Sequence, residues 1–336
     1  MNIRRSFFFA LPLGLLLTGA IYFGLFFLQL GVPTKEGNRM HATIGAKRDI
    51  AAAIPRPKLL IVAGSSAFIG ISAAEIQRET GFPAVNLGVN AALGPAYTVH
   101  LAKQVCRPGD VVLLAFEYEQ YVSENATGTT ADKLFLQYVL GYDRGYVRGL
   151  SLGRQIRLAL LTPGEQLRNG LLAAFRKPKP DTDAPALKRE VLSEMNGHGD
   201  AIGAVPDRRP AISATRTHVS PSLASGLPDS PPGFAPIREF CEWAHSRDIT
   251  VLATFPTIFH HADYDIPPAQ KTPRQLHDFY ASLGVPLLGT ARDAMLSEDQ
   301  LFDTNYHPLQ SAALAHTRRL LVHLAPHLRP RPATAR

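Results

Sequence analysis

The sequence has little cysteine: Cys106 and Cys241 are the two in 336 residues. They lie far apart and show neither CxxC nor zinc-site spacing, which argues against a metal-organised or disulfide-rich scaffold. A disulfide between them stays open, although two unpaired buried thiols are the interpretation we favour. Charged residues are also few, at 19% against 46% hydrophobic residues. This composition excludes a disordered chain and indicates a globular body.

Acidic residues are outnumbered, with 28 Asp and Glu against 35 Lys and Arg, for a formal net charge of +7. The basic residues are scattered and lack the aromatic-basic motif of a nucleic-acid module, so we expect no nucleic-acid partner. Attraction to anionic lipid headgroups or to polysaccharide explains the charge more simply. The adjacent His260 and His261 lack a third ligand at suitable spacing, so we expect no metal and no other cofactor.

The N-terminus carries a long apolar run, from about Phe7 to Val32, without a charged residue. A membrane-spanning helix needs roughly 20 apolar residues, whereas a cleavable signal peptide has an apolar region of about 7–15. The sequence therefore predicts a signal anchor, a transmembrane helix within residues 1–32. Because Arg4 and Arg5 precede the run, we expect a single-pass protein of the cytoplasmic (inner) membrane whose C-terminal domain is periplasmic or otherwise extracytoplasmic.

Short apolar runs alternate with helical patterns in the rest of the chain. The expected strands are residues 58–63, 84–87, 111–116, 249–254 and 285–288, and the expected helices are residues 72–80, 95–105, 235–246, 273–283 and 309–324. This alternation predicts an α/β fold with a parallel sheet covered on both faces.

Three further segments do not fit the alternation. Residues 117–232 contain tyrosine-rich helical pieces and then a Pro/Asp/Ser-rich stretch, which indicates an insertion that caps or borders a site and is poorly ordered in its second half. Residues 33–57 are mostly polar or small, and we expect a linker. Residues 326–336 form a basic tail.

Polar residues follow three of the expected strands, where an open parallel sheet binds its ligands. These segments are Gly64-Ser65-Ser66, Asn86-Leu87-Gly88-Val89-Asn90 and Phe116-Glu117-Tyr118-Glu119. Asp303 and His307 come late, just before the last expected helix. Serine early and Asp/His late is the order that a serine esterase on a doubly wound sheet would need.

In this arrangement the chain resembles the SGNH/GDSL hydrolase superfamily. It is similar in particular to its membrane-anchored members associated with acylation of cell-surface polymers, such as D-alanine-transfer and exopolysaccharide O-acetylation proteins. The resemblance implies a flavodoxin-like doubly wound parallel sheet of the SGNH type over residues 58–325, with residues 117–232 as a large insertion.

The resemblance also implies roles for individual residues. Ser66 stands at the nucleophile position of the family's Gly-Asp-Ser block, and Asp303 and His307 match its C-terminal Asp/His block. Gly88 matches the glycine whose N–H contributes to the oxyanion hole. Ser66 would supply a second N–H to that hole, and Asn90 is a plausible further donor.

Two features depart from the family pattern. Three residues, rather than two, separate Asp303 from His307. Glu117 stands where the family has the asparagine that completes the oxyanion hole. A carboxylate would repel a developing oxyanion, so Glu117 cannot replace that asparagine unless it is protonated. We therefore expect Glu117 to border the cleft.

Each of these residues also has a purely structural interpretation. Ser66 could cap the helix that follows it, His307 could be a surface histidine at a helix start, and Asn90 could be an ordinary turn residue.

Weighing both interpretations, the sequence predicts a serine esterase or O-acyltransferase acting on acyl esters of cell-envelope or extracellular polysaccharide. Its partners would be an acylated glycan or acyl donor, the membrane and a membrane-bound acyl carrier partner. Two alternatives stay open: a catalytically degenerate scaffold or polymer-binding protein in an envelope-modification complex, and a lipase-like lipid esterase.

Overall fold

The structure is a computed structural model that describes residues 3–33, 35–128, 132–175, 184–211 and 215–328. The chain divides into two compact units. Residues 1–41 and 129–185 form the first, which we call the helical unit, and residues 42–128 and 186–336 form the second, the sheet unit. Most of the expected basic tail, from residue 329, lies outside the described residues, as does the proline-rich stretch 176–183.

The helices alternate with short strands. The described α-helices are α1 (Ile3–Leu28), α2 (Lys35–Ala53), α3 (Ser65–Gly70), α4 (Ala73–Thr80), α5 (Gly94–Val105), α6 (Lys133–Tyr142), α7 (Arg144–Gly149), α8 (Leu152–Leu161), α9 (Gly164–Phe175), α10 (Ala184–Ser193), α11 (Pro221–Ala224), α12 (Phe234–His245), α13 (Lys271–Ala281) and α14 (Gln310–Leu324). The described strands are β1 (Leu59–Val62), β2 (Ala84–Asn86), β3 (Val111–Leu114), β4 (Thr250–Thr254), β5 (Ile258–Phe259), β6 (Leu287–Leu288) and β7 (Met295–Leu296). Each expected strand and helix outside the insertion matches one of these elements.

Five strands form a parallel sheet in the order β2-β1-β3-β4-β6. Numbered along the chain within this sheet, the order is 2-1-3-4-5. The register places Leu60 beside Val85 on one side and beside Val112 on the other. Strands β5 and β7 pair separately, also in parallel. The expected α/β fold with a parallel sheet is confirmed.

Alternate strand side chains enter two hydrophobic clusters, one on each face of the sheet. Leu60 and Val112 pack with side chains of α5, α12 and α13. Leu59 precedes Leu60 and Leu113 follows Val112 in the same strands. Both pack with side chains of α4 and α14 on the other face of the sheet. Strands buried on both faces have continuous apolar sequences, which is why these runs could be identified as strands. Each fully buried aliphatic side chain contributes about 1.5–3 kcal/mol to stability.

The two cysteines are free and buried in the same hydrophobic cluster. Burial raises the pKa of Cys106 and of Cys241 to about 12 each. A thiol that stays protonated at neutral pH is a poor nucleophile. Both side chains therefore serve as small apolar core residues, which agrees with the interpretation favoured from the sequence.

The expected linker, residues 33–57, is mostly helical, because α2 occupies most of it. Within the sheet unit, Ile44, Lys47 and Ala51 are buried at helical spacing along α2. Lys47 Nζ donates hydrogen bonds to the carbonyl oxygens of Asn86 at 3.0 Å and Gly199 at 2.7 Å. The linker expectation was wrong because the buried face includes a lysine and small residues, so that its apolar periodicity is weak.

The expected insertion is divided between the two units: residues 129–185 belong to the helical unit and residues 186–232 to the sheet unit. Its second half was expected to be poorly ordered, yet Asp200 is buried there. The Asp200 carboxylate accepts hydrogen bonds from the backbone N–H groups of Ala73 at 2.7 Å and Ala74 at 3.0 Å. A carboxylate that binds free N–H groups at a helix start stabilises that helix. This part of the insertion therefore supports α4.

Helix α1 contains an apolar stretch of 21 residues, Phe8–Leu28, that is long enough to span a membrane. From Phe8 to Ile21 almost every side chain is exposed, whereas Phe26 near the end of the helix is fully buried. Within the helical unit, α9 packs against both α1 and α6. The exposed part and the packed part of α1 are thus distinct.

Candidate active site

The candidate site lies at the carboxyl ends of β1 and β3, which are neighbours in the sheet. Gly64 and Ser65 follow β1, and Glu117 follows β3. At Gly64 a Cβ atom would lie 2.8 Å from Glu117 Oε1 and 3.0 Å from the Cα atom of Ala91. Glycine at this position is therefore what allows the two strand ends and the Ala91 loop to approach one another.

Asp303 and His307 form a hydrogen-bonded pair before α14. His307 Nδ1 lies 2.8 Å from Asp303 Oδ1. Burial by itself would raise the pKa of Asp303, but the hydrogen bond and charge of His307 outweigh burial and lower it. A carboxylate in this position selects the Nδ1–H tautomer and leaves Nε2 to accept a proton. The expected pairing of Asp303 with His307 is present in the structure.

The extra residue between Asp303 and His307 is accommodated by a tight turn. The His307 N–H donates to the carbonyl oxygen of Thr304 at 3.3 Å. Asn305 holds this turn in place, because its side-chain amide donates to the carbonyl oxygen of His218 at 2.9 Å and its backbone oxygen accepts from Phe259 N at 2.6 Å. Three intervening residues therefore still bring the carboxylate to the imidazole.

A cleft of about 260 Å³ lies between these segments. Its lining residues are Ser65, Glu117, Thr215, His218, Thr304, Asn305, Tyr306 and His307. Ser65 and His307 thus face the same space, among lining residues that each carry a polar group. A hydroxyl and an imidazole supported by a carboxylate are the groups that nucleophilic acyl transfer requires.

Ser66 lies elsewhere than the sequence predicted. Its side chain is 1% exposed and does not line the cleft, although its hydroxyl group is near enough to Glu117 to offset part of the rise in the pKa of that carboxyl group. Ser65 is partly exposed, lines the cleft, and donates its Oγ–H to Glu117 Oε1 over 3.4 Å, which is a weak hydrogen bond. The expectation that Ser66 faces the cleft is therefore corrected in favour of Ser65. Because α3 begins at Ser65, the side chains of adjacent residues point about 100° apart, and one of the pair is turned into the protein.

Glu117 is the buried acid of the site. Burial raises the pKa of its carboxyl group, and the Ser66 N–H and the charge of His307 oppose that rise only in part. Its Oε1 atom accepts the Ser66 N–H at 2.9 Å, and its own N–H donates to Gln120 Oε1 at 3.0 Å. Glu117 thus borders the cleft, as expected, and also fixes the first turn of α3.

The N–H groups expected to form an oxyanion hole already have partners. The Gly88 N–H donates to Asn86 Oδ1 at 2.9 Å, and the Ser66 N–H donates to Glu117. Asn90 does not line the cleft; its side-chain oxygen accepts the N–H of Ala92 at 2.9 Å. The structure therefore corrects the expected donor set, because Asn90 serves as a turn residue.

Asn86 explains why this loop contains its glycine. The Asn86 side-chain amide donates to the carbonyl oxygens of Ala67 and Ile71, each at 2.8 Å. A Cβ atom on Gly88 would lie 2.7 Å from the Phe68 backbone nitrogen and 2.8 Å from the Gly64 carbonyl oxygen. Asn86 and Gly88 therefore hold the β2 loop tightly against α3, which is a structural role.

Sequence reasoning missed several residues around the cleft. Thr215 and His218 come from the insertion, where no motif marks them. Tyr306 and Ser220 both donate their hydroxyl protons to the Glu119 carboxylate. This network links the Asp/His turn to the segment after β3, and its only signal in the sequence is the acidic pair Glu117 and Glu119.

Searches against protein-family models and against curated protein sequences find no match to this chain.

Proposed function

We propose that this chain is a membrane-anchored serine esterase or O-acyltransferase that acts on acyl esters of cell-envelope or extracellular polysaccharide. The observation that carries the proposal is the cleft shared by Ser65 and His307, with Asp303 2.8 Å from the imidazole nitrogen Nδ1. A serine, a histidine and an aspartate that supports the histidine are the three groups of a catalytic triad, and here the serine and the histidine line one cleft.

In the proposed reaction, Ser65 Oγ attacks the acyl carbonyl carbon while His307 Nε2 accepts the hydroxyl proton. The tetrahedral adduct collapses, the ester C–O bond breaks, and the protonated His307 returns its proton to the leaving sugar oxygen. Water or a second sugar hydroxyl then attacks the acyl-serine while His307 takes its proton. The bond between the acyl carbon and Ser65 Oγ breaks, and His307 returns the proton to Ser65 Oγ. Asp303 keeps the Nδ1–H tautomer in place through both halves of the reaction.

Glu117 supplies the electrostatic part of the mechanism. Its pKa is raised by burial, so its carboxyl group holds a proton over a wider pH range than an exposed one. A protonated carboxyl group donates a hydrogen bond to a developing oxyanion instead of repelling it. In this role Glu117 takes the place of the asparagine that the resemblance leads one to expect.

The strand order and helix α1 support the same proposal. The strand order 2-1-3-4-5 is that of a flavodoxin-like doubly wound sheet, in which ligands bind beyond the strand ends. Helix α1 would anchor the chain, and the basic pair before its apolar stretch would place the sheet unit outside the cytoplasm.

A second candidate is a catalytically degenerate scaffold that binds the polymer or an acyl carrier. One observation favours it: the N–H groups of Ser66 and Gly88 are occupied by Glu117 and Asn86 rather than open to a substrate oxygen. Such a scaffold would bind polysaccharide without turning over its esters.

Turnover by the full chain in detergent separates the two candidates. Hydrolysis of an acetylated oligosaccharide, and transfer of its acetyl group to an unacetylated one, would be measured for the parent, Ser65→Ala, His307→Ala and Ser193→Ala. Ser193 is an exposed serine whose hydroxyl bonds only locally, so its variant is the matched control. We expect the first two variants to lose activity by orders of magnitude and the control to keep it. Binding without turnover in the parent would select the scaffold.

A further inference from the structure

Helix α8 in the helical unit carries an exposed apolar stripe. Leu152, Ile156 and Leu160 are 71%, 38% and 67% exposed and lie four residues apart along one side of the helix. Leu158 and Ala159 on another side are fully buried. Three large apolar side chains in a row on a helix that already has a buried face indicate a second contact surface.

The stripe lies close to the end of the apolar stretch of α1. The Tyr22 hydroxyl of α1 donates a hydrogen bond to the carbonyl oxygen of Ala159. Farther along the chain, Gly170 of α9 approaches Gln29, just past the end of α1, so closely that a Cβ atom there would clash with Gln29 Oε1. Helices α8 and α9 therefore pack around the last third of α1.

The length of the exposed part of α1 determines the depth at which that contact lies in a membrane. The 14 residues from Phe8 to Ile21, almost all exposed, make a helix roughly 21 Å long. A bilayer core is roughly 30 Å thick, so the remaining roughly 9 Å must come from the part of α1 that begins at Tyr22 and packs against α8. Helix α8 is thus held within roughly 9 Å of the boundary of the bilayer core, which is within the roughly 5–10 Å to which interfacial helices insert.

The charge of the segment fits the same position. Residues 144–164 contain four arginines and no acidic residue. Two of them, Arg154 and Arg157, are exposed on α8. With about 100° between successive residues, they project roughly 60–160° around the helix from the stripe, which lets their long side chains reach lipid headgroups while the stripe enters the apolar region.

We infer that α8 is an interfacial helix whose stripe, Leu152, Ile156 and Leu160, inserts into the surface of a bilayer that contains anionic phospholipid. The inference rests on the proposed anchoring of the chain by α1. It adds a second, amphipathic membrane contact beside the anchor helix, which holds the helical unit against the lipid surface.

The test uses full-length chain reconstituted in vesicles of phosphatidylcholine and phosphatidylglycerol. A polarity-sensitive fluorophore is placed on Ile156→Cys, with Arg154→Cys on the same helix as the matched control and Leu16→Cys in α1 as a check of the anchor. The two native cysteines are buried, so the introduced thiol is the one labelled. Quenching by spin-labelled lipid is then compared among the three positions.

We expect quenching at Ile156→Cys to exceed that at Arg154→Cys several-fold, and to fall when phosphatidylcholine replaces phosphatidylglycerol. Strong quenching at Leu16→Cys with equal, weak quenching at the two α8 positions would overturn the inference while leaving the anchor intact. That result would assign the stripe to a protein partner. Absence of quenching at Leu16→Cys would instead remove the anchor from the proposed function, and this inference with it.

Discussion

Glu117 Oε1 accepts a hydrogen bond from the Ser66 backbone N–H at 2.9 Å, so a buried carboxyl group sits against the first turn of α3. The same oxygen lies 3.4 Å from Ser65 Oγ. A carboxylate here competes with any oxyanion for the N–H group, whereas a protonated carboxyl group can assist it. The proposed mechanism therefore requires Glu117 to be protonated when the oxyanion forms.

The first prediction separates the two adjacent serines. A fluorophosphonate probe should label the parent and Ser66→Ala, and Ser65→Ala should abolish labelling, because Ser65 lines the cleft with His307 and Ser66 Oγ is buried. Mass spectrometry of the labelled peptide gives the modified residue. Loss of labelling in Ser66→Ala alone would restore the nucleophile that the sequence predicted and remove Ser65 from the mechanism.

The second prediction concerns the Asp303–His307 pair. Asp303→Asn should leave the fold intact but lower acetyl-ester turnover by up to about 10⁴-fold, because an amide at this position favours the wrong imidazole tautomer. His307→Ala should be at least as damaging. Steady-state kinetics give the turnover, and circular dichroism checks the fold. If Asp303→Asn keeps parental turnover while Ser65→Ala loses it, another group orients the base.

The third prediction uses the raised pKa of Glu117. Its ordinary value is 4.5, and burial raises the pKa in the folded protein. At pH values between the ordinary pKa and the raised pKa, the folded state binds more protons than the unfolded state. The free energy of unfolding therefore falls as pH rises through that window. Glu117→Gln keeps the acceptor for the Ser66 N–H but removes the charge, and its Tm should exceed that of the parent above the window by a few degrees.

Exposed Glu298 supplies the control for that measurement, because Glu298→Gln should show the same pH dependence of Tm as the parent. Thermal unfolding of the three proteins would be followed from acid to mildly alkaline pH. Parallel curves for Glu117→Gln and the parent would mean that Glu117 is as readily ionised in the folded protein as in the unfolded chain.

The sequence predicted the sheet unit well because its signals are local. The runs 59–63 at β1 and 111–116 at β3 are fully apolar and are followed by Gly64 and Glu117, and β4 has an apolar centre between two threonines. The identity and order of these strands along the chain therefore needed no tertiary information. The pairing of Asp303 with His307 was likewise local, since it depends on one short turn.

Of the expectations that failed, one depends on where a short helix starts, and the others depend on tertiary contacts. Whether Ser65 or Ser66 faces the cleft depends on where α3 starts. Moving the helix start by one residue rotates the direction of each side chain by about 100° around the helix axis. Asp200 is held in place by hydrogen bonds to the start of α4, which lies more than one hundred residues earlier in the chain. The Pro/Asp/Ser-rich composition of its own segment gives no sign of this contact. In α2, a buried lysine made a packed helix resemble a polar linker.

That lysine gives the last prediction. Burial lowers the pKa of Lys47 from 10.5 to about 7, and the charge of Asp200 offsets the effect only in part. Its ammonium group is held by the carbonyl oxygens of Asn86 and Gly199. From about pH 7 to about pH 10.5 the unfolded chain binds this proton and the folded protein does not, so stability rises with pH through that window.

The Lys47→Met variant has no lysine proton in either the folded or the unfolded state, so the increase in stability with pH that Lys47 causes should disappear. The difference in unfolding free energy between parent and variant should therefore grow in favour of the parent as pH increases through the window, by a few kcal/mol at most. Lys188→Met is the control, since Lys188 is an exposed lysine paired with Asp49 and its loss should leave the pH slope unchanged. Denaturant titrations of the three full-length proteins across this range measure the slopes. Equal slopes in all three would mean that Lys47 keeps its proton in the folded state, held by its two carbonyl partners and Asp200 against the cost of burial.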